Sequence, residues 1–408
     1  MYKQLVIAGK SIYNKKERGV DMRDFIFHNP TKIYFGKNAL RYLADEMPNY
    51  GKTILFMYGK QAIKKIGLYD EVLSILQQAD KTVIELSGIQ PNPTYEQLCK
   101  GAQLVKEHAV DLILAVGGGS VIDCAKAISV SAYCKEDPWQ KYWVDRKPVD
   151  NRIVPVGTIL TMTGTGSEMN GGSVITNETV ERKSGRGFSS EVHPKFSILD
   201  PTYTMQLPHY QMVSGIFDIV SHLLEQYFSG TDDNTTDYLI EGVLESLIHS
   251  SKIAVKDPQN YEARSNIMWC ATMALNRITG LGKEQDWQVH SIEHQISAYT
   301  DCAHGMGLAA ISIPYYRYIY KAGLDKFVRF AMKIWQVNPT GKTKDQIALE
   351  GIDCLANFIR ECKMATTLQE LGVTREMLPK IASSCDKGGG YRDLTTKEVL
   401  EILECCYE

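Results

Sequence analysis

The chain has no apolar run long enough to cross a bilayer, which takes about 18 or more consecutive apolar residues. It has no block of like charge, and its formal net charge is only −3. Neither a nucleic acid nor a membrane is therefore expected as a partner. The first 21 residues contain only a short apolar stretch and no small-residue cleavage pattern, so they do not resemble a secretion signal. These absences favour work on small molecules.

Paired cysteines are also missing. The 10 cysteines are scattered, without a CxxC pair and without the density of a disulfide scaffold. We therefore expect reduced thiols and a cytoplasmic location. The composition, 44% apolar and 23% charged, is typical of folded globular proteins and excludes a disordered or collagen-like chain. A length of 408 residues is enough for two domains with separate cores.

The first half of the chain alternates short apolar runs with helical patterns. Strands are predicted at 52–59 and 81–86, within "DLILAVGGGS" at 111–120, and at 152–160, with amphipathic helices between the first three. This alternation indicates βαβ units and a parallel sheet. Ligands of such sheets bind at the carboxyl ends of the strands.

From about residue 210 onward nearly every segment has helical periodicity. The stretch between Pro201 and Pro208 interrupts both periods and is the natural boundary. The predicted fold class is therefore α/β plus all-α: a Rossmann-like domain at 22–199 and a helical domain at 200–408. Residues 1–21 are polar and lack periodicity, and we expect them to be a dispensable extension.

Two loops rich in glycine and hydroxyl residues follow predicted strands. "AVGGGSVIDCAKAI" at 115–128 places three glycines and a serine before a helix, whose first N–H groups suit a diphosphate. "TMTGTGSEMN" at 161–170 offers further hydroxyl and backbone donors. Neither loop is a Walker A or GxGxxG motif, and each could be an ordinary turn. Together they indicate a dinucleotide lying across the strand ends.

The first predicted strand of the sheet, at 52–59, leads into "MYGKQAIKK", which lacks the carboxylate that usually selects NAD. Gly59 leaves room there, and Lys60, Lys64 and Lys65 offer positive charge to a 2′-phosphate. The sequence therefore favours NADP(H) over NAD(H). The alternative is that these lysines lie on a solvated helix face.

Histidines form the other constellation. Asp218 and His222 are spaced i, i+4, so a helix would place both on one face. His290 and His294 share this spacing, and His304 follows ten residues later. A carboxylate with imidazoles is a ligand set for iron(II), zinc or another divalent ion. Taken alone, the Asp–His pair could be a surface or capping pair, and the histidines could have no metal.

The motifs "NPTKIYFGKNAL", "GGGSVIDCAKAI", "TGTGSEMN", "FDIVSHLLEQY" and "HSIEHQISAYTDCAHG" occur in this order, with "PNP" at 91–93. In these the chain resembles the iron-containing (group III) alcohol dehydrogenase family, in particular its NADP(H)-linked butanol dehydrogenase branch. The resemblance implies a dehydroquinate synthase-like fold with an active site between the two domains, and a homodimer.

Carried over position by position, the resemblance implies that the metal ligands are Asp218, His222, His290 and His304. His294 matches a histidine that lies near the metal without binding it. The dinucleotide would contact the following residues: Gly59, Lys60, Asn92, Gly117, Gly118, Gly119, Ser120, Asp123, Thr158, Thr161, Thr165 and Lys183.

These implications predict an aldehyde reductase or alcohol dehydrogenase acting on butanal-like substrates, with iron or zinc. His294 is the expected proton relay, because a histidine pKa lies near neutrality; alternatively it only orients a ligand. The other functions that stay open are a glycerol dehydrogenase-like or dehydroquinate synthase-like enzyme, and an inactive protein that binds metal or nucleotide.

Overall fold

The structure, a computed structural model, describes residues 22–230, 234–386 and 388–408. The predicted extension at 1–21 lies outside the described residues, and its dispensability stays a prediction. Within the described part of the chain, no helix combines the length and the apolar character that a membrane span requires.

A six-stranded parallel sheet organises the first half of the chain, in the spatial order β1-β8-β5-β4-β2-β3. The central strand β4 is buried along its whole length, as its uninterrupted apolar sequence LILAVG predicts for a sheet covered on both faces. The strands are β1 Lys32–Phe35, β2 Thr53–Tyr58, β3 Thr82–Leu86, β4 Leu112–Gly117, β5 Val156–Leu160 and β8 Phe196–Leu199.

Successive side chains of the sheet face two different helix layers, because a strand alternates its faces. Ile113 belongs to a buried cluster with Ile122 of α5, whereas the next residue, Leu114, belongs to a cluster with Val72 of α3. The helices of this half are α1 Tyr42–Glu46, α2 Ala62–Lys65, α3 Leu68–Gln78, α4 Tyr95–Glu107 and α5 Gly119–Ser131.

Along the chain, β5 and β8 are separated by an antiparallel hairpin, which the sequence patterns did not predict. Its strands are β6 Gly172–Asn177 and β7 Arg182–Gly187. The second strand, RKSGRG, is rich in glycine and cations, which have low strand propensity. The hairpin packs on α5 through β6 and on α9 through β7, so it connects the sheet to the helical half.

The rest of the chain is helical. Helix α6 is buried on all sides over most of its length and forms the centre of this half. The helices are α6 His209–Tyr227, α7 Thr235–Lys256, α8 Tyr261–Leu275, α9 Gln288–Thr300, α10 His304–Ile319, α11 Leu324–Ile334, α12 Lys344–Glu361, α13 Leu378–Ser384 and α14 Thr396–Cys405. The predicted class, a parallel-sheet domain followed by a helical domain, is confirmed.

Candidate active site between the sheet and the helices

Four side chains from three helices converge on one point. Asp218 Oδ1 lies 3.4 Å from Nε2 of His222, 3.6 Å from Nε2 of His290 and 3.5 Å from Nε2 of His304. Asp218 and His222 share one face of α6, whereas His290 lies in α9 and His304 begins α10. The structure therefore brings together the four side chains proposed as metal ligands.

Two of these histidines each contact a buried carboxylate through Nδ1. Glu225 of α6 accepts a hydrogen bond from the backbone N–H of His290 at 3.1 Å, and its other oxygen contacts Nδ1 of that ring. Glu293 contacts Nδ1 of His304 in the same way. A histidine held through Nδ1 presents Nε2 in a fixed direction, here towards Asp218.

The charges of this cluster are coupled. Burial alone would raise the pKa of Asp218, but the imidazoles around it bring that pKa far below its usual range. Burial lowers the pKa of His222 to about 3. Burial also opposes protonation of His290, yet Glu225 and Asp218 raise its pKa to about 10. The carboxylates therefore favour a positive charge between them.

The donor set suits a divalent ion. Asp218 Oδ1 and His290 Nε2 are buried and have no hydrogen-bond partner among the described residues. Potential ligand atoms of Asp218, His290 and His304 all lie within 4.8 Å of one another. Unpaired buried polar atoms are costly unless something binds them. One carboxylate with imidazoles is a set that iron(II) or zinc accepts.

A cavity of about 760 Å³ connects this cluster to the carboxyl ends of the strands. The cavity residues include His222, His290, His294 and His304 at the cluster, and Gly119 and Ser120 at the start of α5. Gly118 caps α5 without a side-chain hydrogen bond, so the first N–H groups of this helix can bind an anion.

The two glycine-rich loops meet at this helix start. A Cβ on Gly119 would lie 2.3 Å from Oγ1 of Thr165, which only glycine avoids. Lys126, fully buried in α5, donates hydrogen bonds to the carbonyl oxygens of Ser167 at 3.0 Å and Asn170 at 3.2 Å. Burial lowers the pKa of Lys126 to about 8. This lysine ties the second loop to the helix that carries the first.

Six of the residues predicted to contact a dinucleotide line the cavity: Asn92, Gly119, Ser120, Asp123, Thr165 and Lys183. Four of them, Asn92, Asp123, Thr165 and Lys183, already contact other groups of the protein. Asn92 Nδ2 donates to Asp301 Oδ1 at 2.7 Å. The carboxylate of Asp123 accepts from Ser167 and, at 2.8 Å, from the Val174 N–H. These side chains hold the cavity walls together.

The other predicted contacts lie elsewhere. Thr158 is fully buried within β5, where it donates to Ser197 at 2.7 Å, so its side chain does not face the cavity. Gly117, Gly118 and Thr161 form the turn behind the cavity lining, with the Thr161 N–H donating to the Gly117 carbonyl at 3.0 Å. Gly59 and Lys60 follow β2 beyond the cavity.

The hairpin reaches the metal-ligand cluster through β7. Lys183 is buried with Nζ 3.7 Å from Glu293 Oε2, and a Cβ on Gly185 would lie 3.5 Å from the ring of His294. The ring centroid of His294 is 5.5 Å from that of His304. Burial, followed by the charge of Lys183, brings the pKa of His294 well below its ordinary value. A pKa near neutrality, assumed from the sequence, does not apply in this environment.

The sequence patterns did not identify Glu225, Glu293, Lys126 or Trp287. A signal existed for the two carboxylates, since Glu225 lies seven residues after Asp218 and Glu293 three after His290, spacings that share a helix face. Nothing in the sequence indicated that Lys126 would be buried or that Trp287 would pack edge-on against His290.

Comparison with known proteins agrees with this architecture. The family described as iron-containing alcohol dehydrogenase matches residues 30–201, and its C-terminal counterpart matches residues 212–407. A probable NADH-dependent butanol dehydrogenase 1 of Bacillus subtilis is 39% identical over 94% of this chain and 99% of its own length. The NADPH-dependent aldehyde reductase YqhD of Escherichia coli is 36% identical over 90% of this chain and 94% of its own.

A solved structure has the same fold throughout. The crystal structure of NADH-dependent butanol dehydrogenase A from Thermotoga maritima superimposes with a TM-score of 0.91 at 34% identity, covering 96% of this chain and all of the other. The two family matches together span most of the sequence. The chain therefore belongs to the iron-containing alcohol dehydrogenase family.

Proposed function

We propose that this chain is a metal-dependent oxidoreductase that transfers hydride between a nicotinamide dinucleotide and a small aldehyde or primary alcohol of the butanal and butanol type. One observation carries this proposal: a carboxylate and three imidazoles converge at one end of a cavity whose other end is a glycine-rich helix start. Membership of the family supports a divalent metal and NAD(H) or NADP(H) as cofactors.

Asp218, His222, His290 and His304 would hold the metal, iron(II) or zinc. A divalent ion at such a site supplies Lewis-acid polarisation of a carbonyl oxygen. The buried carboxylates of Glu225 and Glu293 fix the rings of His290 and His304, so the ligand atoms are oriented before anything binds. The dinucleotide supplies or accepts the hydride.

His294 is proposed to carry the proton that the reaction moves. It lines the cavity beside the ligand cluster. Within the described part of the chain its ring makes no hydrogen bond to a carboxylate, unlike the rings of His290 and His304. Its lowered pKa keeps the ring neutral, so Nδ1 or Nε2 has a lone pair that can take a proton from an alcohol hydroxyl. The alternative, that His294 only orients a neighbouring ligand, is tested below.

We propose NADP(H) as the preferred dinucleotide. Lys60, Lys64 and Lys65 are exposed just after β2. The structure adds a carboxylate in this region, Glu85 of β3, but hydroxyls of Tyr58 and Tyr69 each donate to it at 2.7 Å. Glu85 is thus occupied, and the three lysines would offer positive charge to a 2′-phosphate bound near the end of β2. The relatives include both NADH- and NADPH-dependent enzymes.

A homodimer in the cytoplasm is also proposed. The segment from Met22 to Phe27 exposes four apolar side chains, of which Ile26 is 92% accessible. An apolar stretch this exposed commonly marks a protein interface. Light scattering coupled to size-exclusion chromatography measures the mass in solution, and a monomer of 45.8 kDa would contradict the dimer.

The direct test is an assay of metal-loaded protein with butanal and NADPH, followed by the loss of nicotinamide absorbance. Turnover that disappears on chelation and returns with iron(II) or zinc is the expected result. Oxidation of glycerol without reduction of butanal would favour a glycerol dehydrogenase-like enzyme. Bound metal and bound dinucleotide without turnover of any short aldehyde or alcohol would show an inactive binding protein and reject the proposal.

A further inference from the structure

Trp287 has a backbone conformation that tryptophan rarely adopts. Its φ is 84°, in the left-handed region, where a bulky residue is an outlier and glycine is favoured. The residue directly precedes α9 and lines the cavity. Strain of this kind persists only where the surroundings hold it, and it concentrates at functional sites.

The surroundings of Trp287 hold both its backbone and its ring. The carboxylate of Asp286 accepts from the Gln288 N–H and from the Tyr315 hydroxyl, each at 2.8 Å. The indole Nε1 donates to Gln285 Oε1 at 2.9 Å. The indole therefore points in one direction although the backbone conformation is unfavourable.

That direction is towards the ligand cluster. The Trp287 ring lies edge-on to His290, with centroids 5.4 Å apart and planes at 74°, and edge-on to His222, at 6.1 Å and 62°. Gly185, which also lines the cavity and lies next to His294, has no side chain. Trp287 therefore presents a bulky apolar surface that directly contacts two residues of the ligand cluster.

We propose that the indole of Trp287 is the wall that limits the size of the group carried by the reacting carbonyl carbon, so that the enzyme prefers unbranched aldehydes to branched or aromatic ones. This inference rests on the proposed function, because that function places the reacting carbonyl at the ligand cluster. An apolar wall discriminates by shape, since a group that overlaps the ring must displace it.

The test compares Trp287→Gly and Trp287→Ala with the wild type, using butanal, 2-methylpropanal and benzaldehyde. The expected result is that kcat/KM for the two bulky aldehydes, relative to butanal, rises about tenfold or more in both variants, with the metal content retained. Trp269→Ala, which removes an exposed tryptophan of α8, should leave the ratios as in the wild type.

A second readout does not depend on activity. Because glycine suits a φ of 84°, Trp287→Gly should melt about 1 to 2 °C above Trp287→Ala. Equal melting temperatures would show that the backbone of Trp287 is not strained. Unchanged substrate ratios, in variants that keep their metal, would overturn the specificity role. A wild type that reduces none of the three aldehydes would instead reject the proposed function itself.

Discussion

Glu225 binds His290 twice, through the backbone N–H at 3.1 Å and through Nδ1 of the ring. The two residues come from different helices, α6 and α9, and the carboxylate is fully buried. Glu293 holds His304 through Nδ1. In the proposed metal site two of the three imidazoles are thus oriented by buried carboxylates of a neighbouring helix, a pairing that spacing along one helix does not reveal.

We expect Glu225→Gln and Glu293→Gln each to weaken metal binding by about 10- to 100-fold, because an amide orients the ring less firmly and adds no negative charge. Competition with a chromophoric chelator measures the affinity. Glu245→Gln, an exposed position of α7, is the matched control. Wild-type affinity in both variants would show that these carboxylates do not support the ligands.

Replacement of His294 by alanine should lower kcat by roughly 100-fold while the metal content and the KM for NADPH stay close to wild type, as expected when a proton relay is lost. Stopped-flow measurement of butanol oxidation gives kcat, and elemental analysis gives the metal. His108→Ala, at an exposed site on the sheet half, should have no effect. A variant that loses metal but keeps turnover per bound metal would indicate a ligand-orienting histidine.

Removal of the charges at Lys60, Lys64 and Lys65 by a triple alanine substitution should raise the KM for NADPH by roughly tenfold and leave the KM for NADH nearly unchanged. The reason is that a cation strengthens binding of the 2′-phosphate, which only NADPH carries. Initial-rate kinetics with both dinucleotides decide this. A double Lys100→Ala, Lys106→Ala variant on α4 removes exposed charge elsewhere; equal losses for NADH and NADPH would contradict the preference.

Gly119→Ala tests the contact between the two glycine-rich loops. The added Cβ would lie 2.3 Å from Oγ1 and 2.5 Å from Cγ2 of Thr165, so the second loop must move. The KM for both dinucleotides should rise by about tenfold or more, with little change in metal affinity. Gly242→Ala in α7, where a Cβ meets nothing within 4 Å, is the control. An unchanged dinucleotide KM would place the diphosphate elsewhere.

His193 is expected to make stability depend on pH. Both of its ring nitrogens are buried and lack a hydrogen-bond partner among the described residues, and burial, followed by the charges of Lys126 and Arg277, lowers its pKa to about 4. Between about pH 6.5 and 4 the unfolded chain therefore binds more protons than the folded protein, and the free energy of unfolding falls with falling pH.

Comparison with His193→Gln isolates this contribution. As the pH drops from about 6.5 to 4, the free energy of unfolding of the wild type should fall more than that of the variant. Urea unfolding at several pH values measures both. His249→Gln, at an exposed position of α7, is the matched control for the substitution. A difference that stays constant with pH would mean that His193 titrates normally in the folded protein.

Local sequence patterns were sufficient to predict the parallel strands and the helical domain that follows them. Apolar runs such as LILAVG predict buried parallel strands, and the change to helical periodicity near residue 210 predicts the second domain. Both signals depend on burial within one element, so they can be read along the chain. The i, i+4 pair Asp218 and His222 is of the same kind, because a single helix sets its geometry.

Contacts between distant segments depended on the tertiary structure. Asp218 approaches His290 only because α6 and α9 pack together. The side chain of Thr158 does not line the cavity, because it points towards Ser197 of the neighbouring strand. Lys126 binds the loop at Ser167, which is 41 residues away in sequence. Trp287 packs against the imidazoles of His290 and His222, which lie in two different helices. Periodicity records which face of an element is buried, whereas the partner that covers this face is set by packing.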